Sequence, residues 1–269
     1  MNEITIVTPD KTKSVSLTGK ACAFCCSHCN KRYLYGMENI SDTIKKGKRE
    51  YSSFLISGGM NNKGYVDIDK HIEQLKKIKS WGVKINAHTG MIPHDSLKQS
   101  IPFIDALSID FVSDKKTIEE VYHTDWSVND YIKLIESSRH FLEPDIHVTI
   151  GLYGGEIKGE LESIKILKDL NIKRVVFLVM IPTKGTKYEN CKPTDIKELD
   201  KFFMQARDIM PNEEFISGCM HPRGEYAEML DDIAIKYNFS KIVMAGRQIK
   251  NKALEKGIIL KESRECCIL

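Results

Sequence analysis

Eight short runs of apolar, β-branched residues recur along this 269-residue chain, separated by stretches of helical spacing. The runs are Ser14–Leu17, Ser52–Ser57, Val83–Ala87, Ala106–Val112, Ile146–Gly151, Arg174–Ile181, Glu214–Ser217 and Lys241–Met244, and they read as strands. Between them, Ile72, Leu75 and Ile78, then Leu161, Ile164 and Leu167, then Leu199, Phe202, Ala206 and Ile209 fall three or four apart, as on the apolar stripe of a helix. Strands that are apolar almost throughout, alternating with helices, imply a parallel sheet covered on both faces. Eight such units imply closure into an α/β fold of the (β/α)8 TIM-barrel type, with a partial (β/α)6 barrel as the alternative. No low-complexity linker or internal repeat divides the chain, so residues 1–269 are read as one barrel domain. In such a barrel the working site belongs at the carboxyl ends of the strands.

Composition narrows the partners. Lys+Arg 40 against Asp+Glu 37 leaves a charge of +3, too small a surplus for a nucleic-acid-binding surface. With 42% hydrophobic and 29% charged residues, a disordered or collagen-like chain is excluded. No run is long enough for a membrane span, and Met1-Asn2-Glu3-Ile4-Thr5 does not read as a secretory leader. A reducing cytoplasm is the expected setting, and there the eight cysteines call for something other than disulfides.

Four cysteines lie together in Cys22-Ala-Phe-Cys25-Cys26-Ser-His-Cys29; the others are Cys191, Cys219, Cys266 and Cys267. A structural zinc site would want a second ligand pair at knuckle spacing, and none is visible. Cys22, Cys26 and Cys29 read as C-x3-C-x2-C, three soft thiolates that suit an iron–sulfur cluster and leave one iron without a protein ligand. Cys25 is then the spare thiol.

That spacing resembles the signature of the radical S-adenosylmethionine (SAM) superfamily, in which the open iron of a 4Fe-4S cluster chelates SAM. Ser16-Leu17-Thr18-Gly19 and His28 are also similar to members of it. The resemblance implies that Ser57, Gly58 and Gly59, after the second strand, bind the amino group of SAM; the usual acidic residue of that motif is Met60 here. Paired glycines let backbone groups approach a ligand without interference from Cβ. Asp110 and Asp114, beyond the fourth strand, are candidates to accept hydrogen bonds from ribose hydroxyls of SAM, or to cap a helix.

Ile181-Pro-Thr-Lys-Gly185-Thr186 and Ala206-Arg207-Asp208-Ile209-Met210-Pro211 resemble biotin synthase, a radical SAM barrel with a second, sulfur-donating cluster. This chain departs from that pattern. It offers Cys219 where biotin synthase has an arginine, and the regions of His88 and His147 stand where that enzyme has central-strand cysteines. A second auxiliary 4Fe-4S cluster can still be assembled if the tail, residues 246–269, folds over the barrel mouth and brings Cys266 and Cys267 to Cys219. The bland alternative is that terminal cysteines are frayed and inert. Arg223 is a candidate ligand or carboxylate clamp. His88 and His147 are candidate catalytic proton carriers or cluster ligands, and equally satisfied core histidines.

Taken together, the motifs resemble the subunits of the two-component lipoyl synthase. The resemblance implies sulfur insertion at C6 and C8 of a protein-bound octanoyl chain. It also implies, as partners, a lipoyl carrier domain or H protein bearing octanoyl-lysine, a second radical SAM subunit and a reducing electron donor. The rival is a radical SAM rearrangement or methylation in cofactor assembly without a sacrificial cluster.

Overall fold

The computed structural model describes residues 3–269. Met1 and Asn2, the first residues of the single-domain span and of the leader reading, lie outside the described residues. Eleven strands form one sheet: β1 (Glu3–Val7), β2 (Thr12–Ser16), β3 (Glu38–Asn39), β4 (Ser53–Ser57), β5 (Lys84–His88), β6 (Ala106–Asp110), β7 (Asp145–Ile150), β8 (Arg174–Val179), β9 (Glu214–Ser217), β10 (Lys241–Val243) and β11 (Ile259–Ser263). The helices between them are α1 (Ile40–Lys46), α2 (Ile72–Lys79), α3 (His94–Ser100), α4 (Lys115–Thr117), α5 (Val128–Arg139), α6 (Glu160–Asp169), α7 (Ile196–Ile209), α8 (Glu225–Lys236) and α9 (Ile249–Glu255). All eight expected strands are present as β2 and β4 to β10, with ends shifted by at most two residues; β1, β3 and β11 are additional.

Every pairing is parallel, in the order β11-β1-β10-β9-β8-β7-β6-β5-β4-β2-β3. The sheet is curled, alternates with helices and forms a half-barrel, with β11 and β3 as edges. No pairing joins β1 to β2 among the described residues. The seam beside them is spanned by the last segment, where Lys11 N donates to Arg264 O (2.9 Å) and Cys266 N to Thr12 Oγ1 (2.7 Å).

Strand periodicity separates two cores. On β8, Val175, Phe177 and Val179 join the large core between sheet and helices, where Phe177 meets Phe202, Phe203 and Phe215. The alternate residues Val176 and Leu178 face the concave side, in a second cluster with Val7, Ala106, Ile216 and Val243. Cys267 and Ile268 complete that inner cluster, each only 7% exposed.

The tail therefore lies elsewhere than expected. Glu265 pairs with Lys84, Lys241 Nζ donates to Cys267 O (2.5 Å), and Cys266 N reaches Thr12. Lys84, Lys241 and Thr12 are the first residues of their strands, so the segment packs at the amino end of the half-barrel and along its seam, not over the mouth. The cause is the apolar wall there, which buries Ile268 as the mouth's polar loops would not. Among the described residues, no helix is long and apolar enough to cross a membrane.

Candidate active site

The loop after β2 carries Cys22, Cys26 and Cys29 half-buried and Cys25 exposed. Hydrogen bonds fix it on three sides. Ala23 N donates to Met60 O (2.8 Å), Ser27 N to Val121 O (2.8 Å), and Asn30 Nδ2 to Gly185 O (2.9 Å). Gly59 is demanded by this packing, because a Cβ there would stand 1.9 Å from Ala21 O and 2.5 Å from the Cys22 Cβ. Its N–H donates to Thr18 Oγ1 (2.7 Å), so the Ser57-Gly58-Gly59 turn is laced to the cysteine loop. The Ser57 hydroxyl donates to His88 O (2.7 Å). A cavity of about 420 Å³ is lined by Cys22, Gly59, Thr18 and Asp67.

Burial pushes the Cys26 thiol up to about 12, and the neighbouring Cys29 and Cys22 add to it; burial also raises Cys29. Cys26 and Cys29 resist ionising beside Cys22, and a positively charged group of irons relieves such a set of soft donors, so these residues fit a 4Fe-4S cluster. Among the described residues, no three Cys, His, Asp or Glu side chains gather as a site for a single metal ion.

The concave face of the sheet is polar at mid-height. His88 Nε2 and Asp110 Oδ2 are 3.0 Å apart, and the His147 ring stacks on His88 with centroids 5.6 Å apart. Burial works against both charges of the pair, yet mutual attraction wins. Asp110 is held down to about 2 and His88 is held above its ordinary value. His147, disfavoured by burial and by His88, is lowered to about 4 and stays neutral. Its Nδ1 faces Asp145 O at 3.2 Å, which assigns the proton there and leaves Nε2 as a free acceptor.

Sequence reasoning noted His28 only as a likeness and assigned no role to Asn86. The buried Nδ1 of His28 has no partner, and burial lowers that imidazole to about 4. Asn86 accepts from Ser108 Oγ (3.1 Å) and lies with its Nδ2 3.8 Å from Cys266 Sγ. Alternation with the buried Ile85 and Ala87 on β5 was the available signal for Asn86. Asp114 is not gathered here. Its carboxylate accepts from Thr117 N and Thr117 Oγ1, both at 2.8 Å, so of its two readings the geometry is that of a helix cap.

Cys219, Cys266 and Cys267 lie on one cavity, without forming a ligand group for a metal ion among the described residues. The cavity measures about 100 Å³ and is also lined by Thr12, Ser14 and Val243. A hydrogen bond from Cys267 brings Cys266 down to about 7 against the effect of burial, while Cys267 rises. Arg223 clamps backbone in place of a carboxylate: Nη2 donates to Cys219 O (2.9 Å) and Nη1 lies 3.0 Å from His221 Nε2. Cys191 lies apart, in the loop before α7.

No protein-family model matches the chain. It is similar to a biotin synthase from Clostridium acetobutylicum, with 23% identity over 206 residues, covering 71% of this chain and 62% of that enzyme. The chain thus spans less than two thirds of the length of the relative it matches. In fold it is similar to the FeFe-hydrogenase maturase HydG from Carboxydothermus hydrogenoformans (TM-score 0.68, 16% identity, 97% of this chain and 68% of that one). It is also similar to Streptococcus suis SuiB bound to S-adenosylmethionine (TM-score 0.56, 14% identity, 90% of this chain and 58% of that one). The likeness to the two solved structures is one of fold.

Proposed function

We propose that this chain is a radical SAM enzyme that inserts sulfur into an unactivated C–H bond of a protein-bound octanoyl chain, as one of two subunits of a lipoyl synthase. The observation that carries this reading is the gathering of Cys219, Cys266 and Cys267 in one cavity, separate from the cavity at Cys22. Two thiol sets serving one concave face suit two clusters, one to start the chemistry and one to give up sulfur.

In this reading Cys22, Cys26 and Cys29 hold a 4Fe-4S cluster, and Cys219, Cys266 and Cys267 hold an auxiliary one. When bound, the first cluster and SAM supply a 5′-deoxyadenosyl radical that takes a hydrogen atom, and the auxiliary cluster supplies the sulfur. The residues of the chain set the stage. The apolar inner wall of Val176, Leu178, Ile216 and Val243 seats Cys267 and Ile268 and so holds the tail that carries two of the thiols. In this reading the glycine turn and Asp110 meet the polar parts of SAM, and mutual attraction favours the charged forms of His88 and Asp110. Neutral His147 holds an open acceptor at Nε2. Arg223 fixes the turn that carries Cys219.

Iron counting after anaerobic reconstitution is the test. Two 4Fe-4S clusters give about eight irons per chain, falling to about four when Cys219, Cys266 and Cys267 are all changed to Ala. A count of about four in both proteins removes sulfur insertion. Mass spectrometry of an octanoyl-lysyl carrier domain incubated with SAM, a reductant and the second subunit then reads the product.

One observation favours a second reading. At mid-height the face offers Asn86, His88, Ser108, Asp110 and His147, a wall suited to a small polar substrate more than to an aliphatic chain. In that case the chain catalyses a rearrangement or methylation with a single cluster. Formation of 5′-deoxyadenosine from SAM and dithionite is required by both readings, and its absence sinks both.

A further inference from the structure

We infer that Asn86, oriented by Ser108, is a positioning residue for Cys266: its amide N–H donates to the Cys266 sulfur and makes the group held there easier to reduce. This rests on the reading above in which Cys219, Cys266 and Cys267 hold an auxiliary cluster. Two hydrogen bonds form a relay. Ser108 Oγ donates to Asn86 Oδ1 (3.1 Å), and Asn86 Nδ2 donates to Cys266 Sγ (3.8 Å).

Packing does not ask for an amide at this place. The register sets Asn86 between Leu55 on β4 and Ala106 on β6, and residues paired across a parallel sheet face the same side. Leu55 lines the thiol cavity, and Ala106 belongs to the inner apolar cluster. An amide buried among such residues costs free energy unless its polar atoms are bonded, and a leucine would fill the space at no such cost. Ser108 satisfies Oδ1. Among the described residues, the acceptor for Nδ2 is the Cys266 sulfur.

Exposure turns the relay toward the thiols more than toward the open cleft. Asn86 is 2% and Ser108 1% exposed, whereas the side chains of His88 and Asp110, two residues on along the same strands, are 29% and 34% exposed. The backbone of the tail is fixed as well. Cys266 N donates to Thr12 Oγ1 (2.7 Å), and Lys241 Nζ donates to Cys267 O (2.5 Å), so the sulfur meets the amide in one geometry. Hydrogen bonds to a ligating sulfur are one of a protein's levers on the potential of an iron–sulfur cluster, because the donor offsets negative charge and favours the reduced state.

The experiment is a redox titration of the iron-loaded full chain, with electron paramagnetic resonance reading each cluster separately. Asn86→Leu is expected to keep about eight irons per chain. At a fixed potential it should lower the reduced-to-oxidised ratio of the auxiliary cluster about tenfold, a shift of about 59 mV to more negative values for one electron. The cluster of Cys22, Cys26 and Cys29 should not move. Ser108→Ala leaves the amide in place but free to turn, and is expected to shift the auxiliary cluster the same way by less. A role in packing alone would lower the melting temperature and leave both potentials unchanged. Full iron content with an unmoved auxiliary potential in Asn86→Leu overturns the inference and leaves the two-cluster reading intact, and so does an equal shift of both clusters. If Asn86→Leu fails to retain its iron, Ser108→Ala decides: a shift of the auxiliary cluster alone supports the relay, and no shift overturns it. A parent chain that holds only about four irons overturns the auxiliary-cluster reading itself, and the role of Asn86 with it.

Discussion

Gly59 shows how one missing methyl holds two loops together. Because an alanine Cβ would overlap the backbone oxygen of Ala21, Gly59→Ala must push the cysteine loop outward. The expected result is loss of most of the iron bound by Cys22, Cys26 and Cys29, read by iron assay, with secondary structure intact by circular dichroism. At His147 the prediction concerns pH. The folded imidazole resists its proton until about pH 4, while the unfolded chain takes it up near 6.5, so its contribution to stability falls as pH drops between those values. His147→Gln should therefore flatten the loss of urea stability between pH 6.5 and pH 4.5. His88 runs the other way: its raised value contributes below about 6.5 and is lost as pH climbs through the folded value. The grouping of Cys22, Cys26 and Cys29 was legible because all three lie within eight residues of one loop. The pairing of His88 with Asp110 was not, since it joins two strands 22 residues apart and depends on the register that sets His88 opposite Ser108.

Elements were more legible than their edges. Apolar runs announced the eight central strands because both faces of each are covered, whereas β11 escaped notice because its burial pattern is mostly exposed and β3 has only two residues. β1 alternates in Glu-Ile-Thr-Ile-Val, a pattern that fits a strand but sits in the segment first weighed as a leader. Asp114 belongs to this scale. As the cap of α4 it should cost about 1 kcal/mol when changed to Ala, measured by chemical denaturation, with SAM cleavage retained. Strong loss of SAM cleavage at unchanged stability would return Asp114 to the cofactor site.

For the whole molecule, the decisive element is the segment from Arg264 to Leu269. It supplies two of the three thiols of the smaller cavity and covers the inner apolar wall. Its place could not be read from sequence, because polar anchors at Asp10, Thr12, Lys84 and Lys241 lie far apart along the chain. Removal of residues 264–269 should cost about 2–4 kcal/mol from the burial of Cys267 and Ile268, seen as a lower melting temperature and new binding of a hydrophobic dye. The sheet order carries one more consequence. β1 is flanked by β10 and β11, more than 230 residues downstream, so it leaves the ribosome long before either of its neighbours is made. Until then its unpaired edge stays open to stray partners, which makes this chain a slow folder and a client for whatever shields nascent strands in its host.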